Sequence, residues 1–176
     1  MVVAAALPLS WACAADDVLD ALGPELLGSP VGRVLEESKF SCTQDRTEPD
    51  MQRCTSRSSA LTMSGGVSAS AMEALIKDRR LLQVAVYFPE AQFTRVLAVL
   101  STRFGEGHDW TVTIRSGMAG QLPDHIRIWE SDRFALVAQQ YDRKIDRSSV
   151  IYGSVDVMAP LLRRIRSTPR GALRDL

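Results

Sequence analysis

The chain has 176 residues and carries 21 acidic and 21 basic side chains. This length is enough to bury a sizeable core within one domain. The zero net charge provides no overall field to attract nucleic acid or an anionic membrane, and no membrane span follows the first residues. We therefore expect neither nucleic acid nor a bilayer as a partner. Arg far outnumbers Lys and Asn is lacking, a bias associated with GC-rich bacterial genomes.

Residues 1–14 have the pattern of a secretory signal peptide. Val2 to Trp11 form an apolar run, and Ala12-Cys13-Ala14 is a small-residue motif of the kind that signal peptidase cleaves. We interpret the protein as periplasmic or secreted from a bacterium. The usual positive charge at the start is missing, so a buried N-terminal helix is one alternative. A lipid anchor on Cys13 is another.

An acidic linker, residues 15–28, precedes the folded domain. Ser29-Pro30 combines an N-cap candidate with Pro at the first helical position, which predicts a helix that ends near Lys39. Strands are expected next at Phe40–Thr43 and Cys54–Met63. Val67–Ile76 is predicted as a third strand, with a helix as its alternative.

Cys42 and Cys54 remain once the signal peptide is removed. An even number of cysteines is typical of an oxidising compartment. The polar segment between them contains Glu48-Pro49-Asp50, a turn signal, which favours a hairpin whose two arms the disulfide joins. A metal site and a pair of reduced cytosolic thiols are the alternatives.

A strand and an amphipathic helix over Leu81–Gly105 form the centre of the predicted core. Alternation places four apolar strand residues on one face: Leu82, Val84, Val86 and Phe88. The helix starts after Pro89 and stops at Gly105. Helical spacing predicts one buried stripe: Phe93, Val96, Leu97, Leu100 and Phe104.

The rest of the chain predicts an antiparallel meander. Strands are expected at Trp110–Arg115, His125–Trp129, Phe134–Tyr141 and Ser148–Val155, and Ser116–Asp124 is a looser stretch. Residues 160–176 are interpreted as a basic tail with at most a short helix.

Together these elements predict an α+β fold with helices packed on one face of an antiparallel sheet. A helix followed by four strands occurs twice, which is consistent with a tandem α-β4-α-β4 arrangement. A single domain would then span residues 29–159, with halves at 29–88 and 89–159. The opposite face of the sheet would stay partly free for a partner.

Several motifs between residues 28 and 155 resemble those of uncharacterised exported proteins of proteobacteria. They are Gly28-Ser29-Pro30, the Cys42 and Cys54 pair, Asp78-Arg79-Arg80-Leu81 before its strand, Phe104-Gly105, Trp129, and the segment Ile145 to Tyr152. The element order is also similar to the helix-on-sheet units of the beta-lactamase inhibitor protein and of small outer-membrane-assembly lipoproteins. The resemblance implies an architecture and transfers no functional residue.

Signals for catalysis or for a cofactor are weak. His108 and His125 lie outside any metal-binding or nucleophile motif and are interpreted as structural. The segments Ser64-Gly65-Gly66 and Ser116–Gly120 lack the features of a phosphate loop and are interpreted as turns. We therefore expect no catalytic residue, metal or cofactor.

Four aromatic residues on the strands of the second half form a candidate protein-binding surface, because Trp and Tyr dominate binding hot spots: Trp110, Trp129, Tyr141 and Tyr152. Core packing is the use of these side chains that we favour, and the binding surface is the alternative. The leading hypothesis is an exported, non-enzymatic protein that binds another protein through its sheet, as an inhibitor or an immunity factor does. A structural or assembly accessory of the cell envelope and an unrecognised hydrolase are the alternatives.

The sequence predicts that Cys42 and Cys54 are joined in the exported protein. Alkylation in denaturant without reductant should leave the intact mass unchanged, because neither thiol is free. A Cys42→Ser variant should gain one alkyl group, on Cys54. Two labelled thiols in the parent would contradict the disulfide and weaken the case for export.

Overall fold

The fold is described from a computed structural model, which covers residues 27–29, 40–46, 48–56, 61–63, 66–116 and 120–175. The expected signal peptide, most of the linker and the expected helix up to Lys39 lie outside these residues. So do Ser64, Gly65 and positions 117–119 of the two glycine-containing segments.

Thirteen strands and two α-helices make up the described part of the chain. The strands are β1 Phe40–Gln44, β2 Met51–Ser56, β3 Leu61–Met63, β4 Val67–Ala69, β5 Ala71–Lys77, β6 Arg80–Pro89, β7 His108–Asp109, β8 Val112–Ser116, β9 Gly120–Asp124, β10 Ile126–Glu130, β11 Phe134–Gln139, β12 Arg147–Ser154 and β13 Leu173–Asp175. The helices are α1 Phe93–Phe104, which follows a 3-10 turn at Glu90–Gln92, and α2 Val155–Ser167.

An eight-stranded antiparallel sheet dominates the structure, with the strand order β1-β2-β5-β6-β12-β11-β10-β7. Its two halves meet where β6 pairs with β12, from Pro89 opposite Arg147 to Gln83 opposite Gly153. A three-stranded sheet, β13-β8-β9, and the β3-β4 hairpin accompany it. The predicted α+β class is confirmed.

Hairpins connect the strands of the first half as the sequence predicts. Cys42 lies directly opposite Cys54 in the β1-β2 hairpin, and a disulfide joins them. Asp78 and Arg79 both have positive φ in the turn between β5 and β6, a backbone conformation typical of tight hairpins. The strand interpretation of the segment before this turn is therefore confirmed, with Ser70 separating β4 from β5.

Helix α1 covers one face of the large sheet. Phe93, Val96 and Leu100 are buried in a core cluster with side chains from β2, β5, β6, β11 and β12, while Leu97 and Phe104 are partly buried. The helix ends at Gly105, which has a φ of 77°. One detail of β6 differs from the expected alternation: a β-bulge opposite Leu75 and Ile76 places Leu81 in the core, and Leu82 is half-buried.

Helix α2 covers the opposite face of the second half. Its Met158, Leu162 and Ile165 pack with strand residues of the other core cluster: Val112, Ile114, Ile126, Ile128, Ala135 and Val137. Gly153 makes room for the helix, because a Cβ there would lie 3.0 Å from Met158. The two described helices therefore lie on opposite faces of the sheet.

The interpretation of residues 160–176 as a separate basic tail is corrected. Pro160 lies inside α2, which starts at Val155. As the sixth residue of the helix it cannot donate to the Asp156 carbonyl, and the helix forms there with Met158, Leu162 and Ile165 buried on one side. The chain then ends in β13, which pairs parallel with β8. Ser116–Asp124 also differs from the expected loose stretch, because Gly120–Asp124 form β9.

The fold predicts unequal costs for truncating two side chains of α1. Leu100 is fully buried and Thr94 is exposed. Leu100→Ala should lower the free energy of unfolding by about 2–5 kcal/mol, through lost burial and the cavity left behind. Thr94→Ala should stay within about 0.5 kcal/mol of the parent. Chemical denaturation measures both, and similar effects would show that α1 is wrongly oriented.

Candidate functional site

Side chains of β2, β5 and β6 that point away from α1 form a surface that α2 covers only in part, next to β6. We call it the open face: Arg53, Thr55, Glu73, Leu75, Gln83, Ala85 and Tyr87. Since side chains alternate along a strand, their neighbours in sequence supply the core beneath α1, as Cys54, Ala74, Val84 and Val86 do. The open face is therefore a direct consequence of burying the other face.

A groove runs along the open face beside α2. It has a volume of about 440 Å³, and the sheet forms its floor, with Leu161 of α2 and Arg143 of the β11-β12 loop also lining it. This volume falls within the range of about 300–1,000 Å³ that is typical of ligand sites. The groove is the candidate functional site.

Apolar side chains cross the floor of the groove from β5 to α2. Ala85 lies opposite Ile151 where β6 pairs with β12, and Leu75 and Leu161 line the groove on either side. Leu75, Ile151 and Leu161 are each half-buried. They therefore present apolar surface to anything that enters the groove.

An ion-paired arginine forms the outer flank of the groove. Arg53 donates to the buried carboxylate of Asp45 through Nε at 3.0 Å and Nη2 at 2.8 Å. Its Nη1 lies 3.4 Å from Glu73 Oε2 on the neighbouring strand. Asp45 also accepts the backbone N–H of Glu48 at 3.2 Å, so the hairpin turn and the groove share one carboxylate.

Tyr87 lies on the groove floor near the β11-β12 loop. The Arg147 guanidinium stacks over its ring, with Cζ 4.8 Å from the ring centroid. Burial raises the pKa of Tyr87 to about 12, and the carboxylates of Glu73 and Asp142 act in the same direction, against Arg143 and Arg147. The phenol is therefore neutral at physiological pH, and its O–H bonds to no group in the described chain.

The β11-β12 loop holds Arg143 at the edge of the groove. Arg147 donates to the Asp142 carbonyl through Nε at 3.2 Å and Nη2 at 3.0 Å, and the Asp142 N–H donates back to the Arg147 carbonyl at 2.8 Å. Arg143 itself has a φ of 63°. It is exposed and forms no ion pair with a described residue.

Two members of the predicted aromatic surface, Trp129 and Tyr152, are corrected to core residues. Trp129 is 5% exposed and donates its indole N–H to the Gly105 carbonyl at 2.7 Å. Tyr152 is fully buried, with its ring centroid 5.2 Å from that of Phe134. Both alternate onto the α1 face of their strands, which is why no partner can reach them.

Trp110 and Tyr141 are half-buried and pack against the cluster beneath α2. The Trp110 indole donates to the Thr168 carbonyl at 3.0 Å, and Arg170 lies over its ring. The Tyr141 backbone N–H donates to the buried Asp124 carboxylate at 2.9 Å. The four predicted residues are therefore divided between two faces, and none of them lines the groove.

Neither histidine lines the groove. His125 Nδ1 lies 3.2 Å from Thr111 Oγ1, which donates to Asp109 Oδ1 at 2.6 Å. The Thr111 hydroxyl lowers the pKa of Asp109. All of these polar atoms are at the surface, and His108 is exposed in β7.

Within the described ranges, no three His, Cys, Asp or Glu side chains lie close enough to hold a metal ion.

The groove residues Tyr87 and Arg143 do not belong to the predicted surface. Tyr87 alternates with the core residues Val86 and Phe88, so its position on the other face could be read from the sequence. What could not be read is which part of that face α2 covers, because this depends on contacts between distant segments.

The fold and the groove define an α+β protein whose large antiparallel sheet is covered on one face and partly open on the other. Comparisons with protein-family models, curated proteins and solved structures find no match to this chain. In the described part of the chain, neither helix has the length and apolar character needed to cross a bilayer.

The tyrosines predict how stability changes in alkali. Burial is the main cause that raises the pKa of all three, to about 12 for Tyr87 and Tyr152 and in the same direction for Tyr141. Unfolded tyrosines ionise near pH 10, so between about pH 10 and 12 the unfolded state binds fewer protons. Stability should therefore fall as the pH rises through this window.

Absorbance at 295 nm measures tyrosine ionisation directly. At pH 10.5 a smaller fraction of the tyrosines should be ionised in the native protein than in urea, where more than half of them should be tyrosinate. In Tyr87→Phe, one late-ionising group should be lost. A native titration that matches the urea titration would contradict the burial of these rings.

Proposed function

We propose that this protein is exported and binds another protein through the open face of its sheet, without catalysing a reaction. The observation that carries the proposal is the groove on that face. It combines four apolar side chains with polar groups beside them. The apolar ones are Leu75, Ala85, Ile151 and Leu161, and the polar ones are the ion-paired Arg53 and Glu73, Gln83, Tyr87 and Arg143. This combination of an apolar centre with a polar rim is typical of protein-binding surfaces.

Two further features support this function. The groove is built on strands in the middle of the sheet, so its floor is rigid before a partner arrives, which reduces the entropy cost of binding. Tyr and Arg are also enriched among the residues that contribute most binding energy. Both types occur in the groove, whereas the two histidines, which are the candidate bases at neutral pH, lie elsewhere.

The case for export is carried by the apolar start of the chain and by the disulfide between Cys42 and Cys54. Disulfides persist in the periplasm and outside the cell and are rare in the cytosol. An inhibitor or immunity role requires a tight soluble partner. An envelope-assembly role requires outer-membrane proteins as partners.

Site-specific photo-crosslinking in cells tests the proposed function. A benzophenone side chain at Gln83, in the groove, should form one adduct with another protein. The same group at Ala98, exposed on α1, should form none. Mass spectrometry of the adduct identifies the partner and separates a soluble target from an outer-membrane protein.

A second pair of variants shows whether the adduct depends on the groove. Leu75→Lys should abolish the Gln83 adduct, because it places a charge on the apolar floor, and Ala98→Lys should leave the adduct unchanged. Circular dichroism checks that both variants fold. The absence of any adduct from Gln83, or identical adducts from Gln83 and Ala98, would refute binding through the open face.

A further inference from the structure

Two hydrogen-bond donors without partners line the same end of the groove. Arg143 is exposed and forms no ion pair within the described residues. The Tyr87 hydroxyl is a neutral donor that forms no hydrogen bond with any described group. Arg53, at the other side of the groove, is already neutralised by Asp45 and Glu73. The carboxylates of Glu73 and Asp142 also act on Tyr87, but each is paired with an arginine, Arg53 or Arg147. The donors left without a partner at this end of the groove are therefore Arg143 and the Tyr87 hydroxyl.

Helix α2 carries positive charge beside the groove, at a residue that does not line it. Leu161 faces the groove, and residues three or four positions apart lie on the same side of a helix. Arg164 is therefore one turn beyond Leu161 on this side, whereas Arg166 lies on the other side and pairs with Glu130. Arg164 is exposed and forms no ion pair in the part of the chain that the structure covers.

We propose that the groove binds an extended segment of the partner protein in which a carboxylate lies beside an apolar side chain. The carboxylate lies between Arg143 and Tyr87, and the apolar side chain lies on Ala85, Ile151 and Leu161. This inference rests on the proposed function and specifies the chemistry of the partner. Charge complementarity supports it, because Arg143 is the charged side chain lining the groove that has no ion pair among the described residues.

The rigid β11-β12 loop favours a carboxylate over a neutral acceptor. Arg147 is held by Asp142 and by the face of the Tyr87 ring, so the loop and the tyrosine form one unit. A carboxylate can accept hydrogen bonds from a guanidinium and a phenol at once, and hydrogen bonds with a charged acceptor are about twice as strong as neutral ones. A neutral amide in the same place would accept weaker hydrogen bonds, because it carries no charge.

Three matched peptides test this inference on the whole protein. Each is a short, capped, fluorescent peptide in which Leu alternates with Glu, Gln or Lys, and fluorescence anisotropy measures its affinity. The Glu peptide should bind at least about tenfold more tightly than the Gln peptide, and the Lys peptide should bind most weakly. Equal affinities, or no binding of the Glu peptide, would overturn the proposal.

Charge reversal on the β11-β12 loop locates the effect. Arg143→Glu should lower the affinity for the Glu peptide by about tenfold or more and raise the affinity for the Lys peptide. Lys144→Glu makes the same change of charge at the next residue, which does not line the groove, and should have a much smaller effect. Tyr87→Phe should lower the affinity for the Glu peptide by roughly three- to tenfold, because one hydrogen bond is lost. Equal effects of Arg143→Glu and Lys144→Glu would refute a specific site.

The peptide test and the crosslinking test fail independently. If Gln83 yields a groove-dependent adduct but the peptides show no preference for Glu, protein binding stands and the acidic segment is wrong. If Gln83 yields no adduct, the proposed function itself fails. A Glu preference that depends on Arg143 supports the acidic segment when Gln83 also yields a groove-dependent adduct. Without that adduct, the preference shows only that the groove can hold an acidic peptide, and the partner segment is refuted.

Discussion

The pairing of β6 with β12 is the interaction on which the rest of the structure depends. It joins two four-stranded halves into one sheet, with Val86 opposite Val150 and Ala85 opposite Ile151. The first of these pairs lies under α1 and the second faces the groove. Because side chains alternate across a sheet, the same ladder fixes the core on one face and the candidate site on the other. A shift in the β6-β12 register would therefore disrupt the core and the candidate site together.

The open face exists because the two faces of the sheet are covered unequally. Helix α1 packs against residues from both halves, including Ala74 and Leu136. Helix α2 packs over β11 and β12 and also contacts β6, but it does not extend over β5 and β2. The strands β2 and β5 therefore have polar or half-buried side chains on that face, such as Arg53 and Glu73. An antiparallel sheet tolerates such an arrangement, since one of its faces can remain in contact with water.

Local patterns allowed the sequence to predict α1, the hairpins and the fold class. Helical spacing identified Phe93, Val96 and Leu100, and the turn residues after Lys77 identified the β5-β6 hairpin. The start of α2 was wrong because Pro160, a residue type that rarely occurs in helix interiors, is the sixth residue of this helix. The aromatic surface was wrong at Trp129 and Tyr152 because alternation divides residues between two faces without showing which face is buried. That choice depends on contacts between distant segments, which one sequence does not reveal.

The disulfide connects the site to the compartment in which we propose the protein works. Arg53 follows the turn of the β1-β2 hairpin and is held by Asp45 at the start of that turn. The bond between Cys42 and Cys54 joins the two arms on either side of this pair. On the chain-entropy model, closing so short a loop contributes about 3 kcal/mol. Reduction would remove that restraint from an edge strand, where little else is packed. The outer flank of the groove is thus most rigid under oxidising conditions, in agreement with the expected export of the protein.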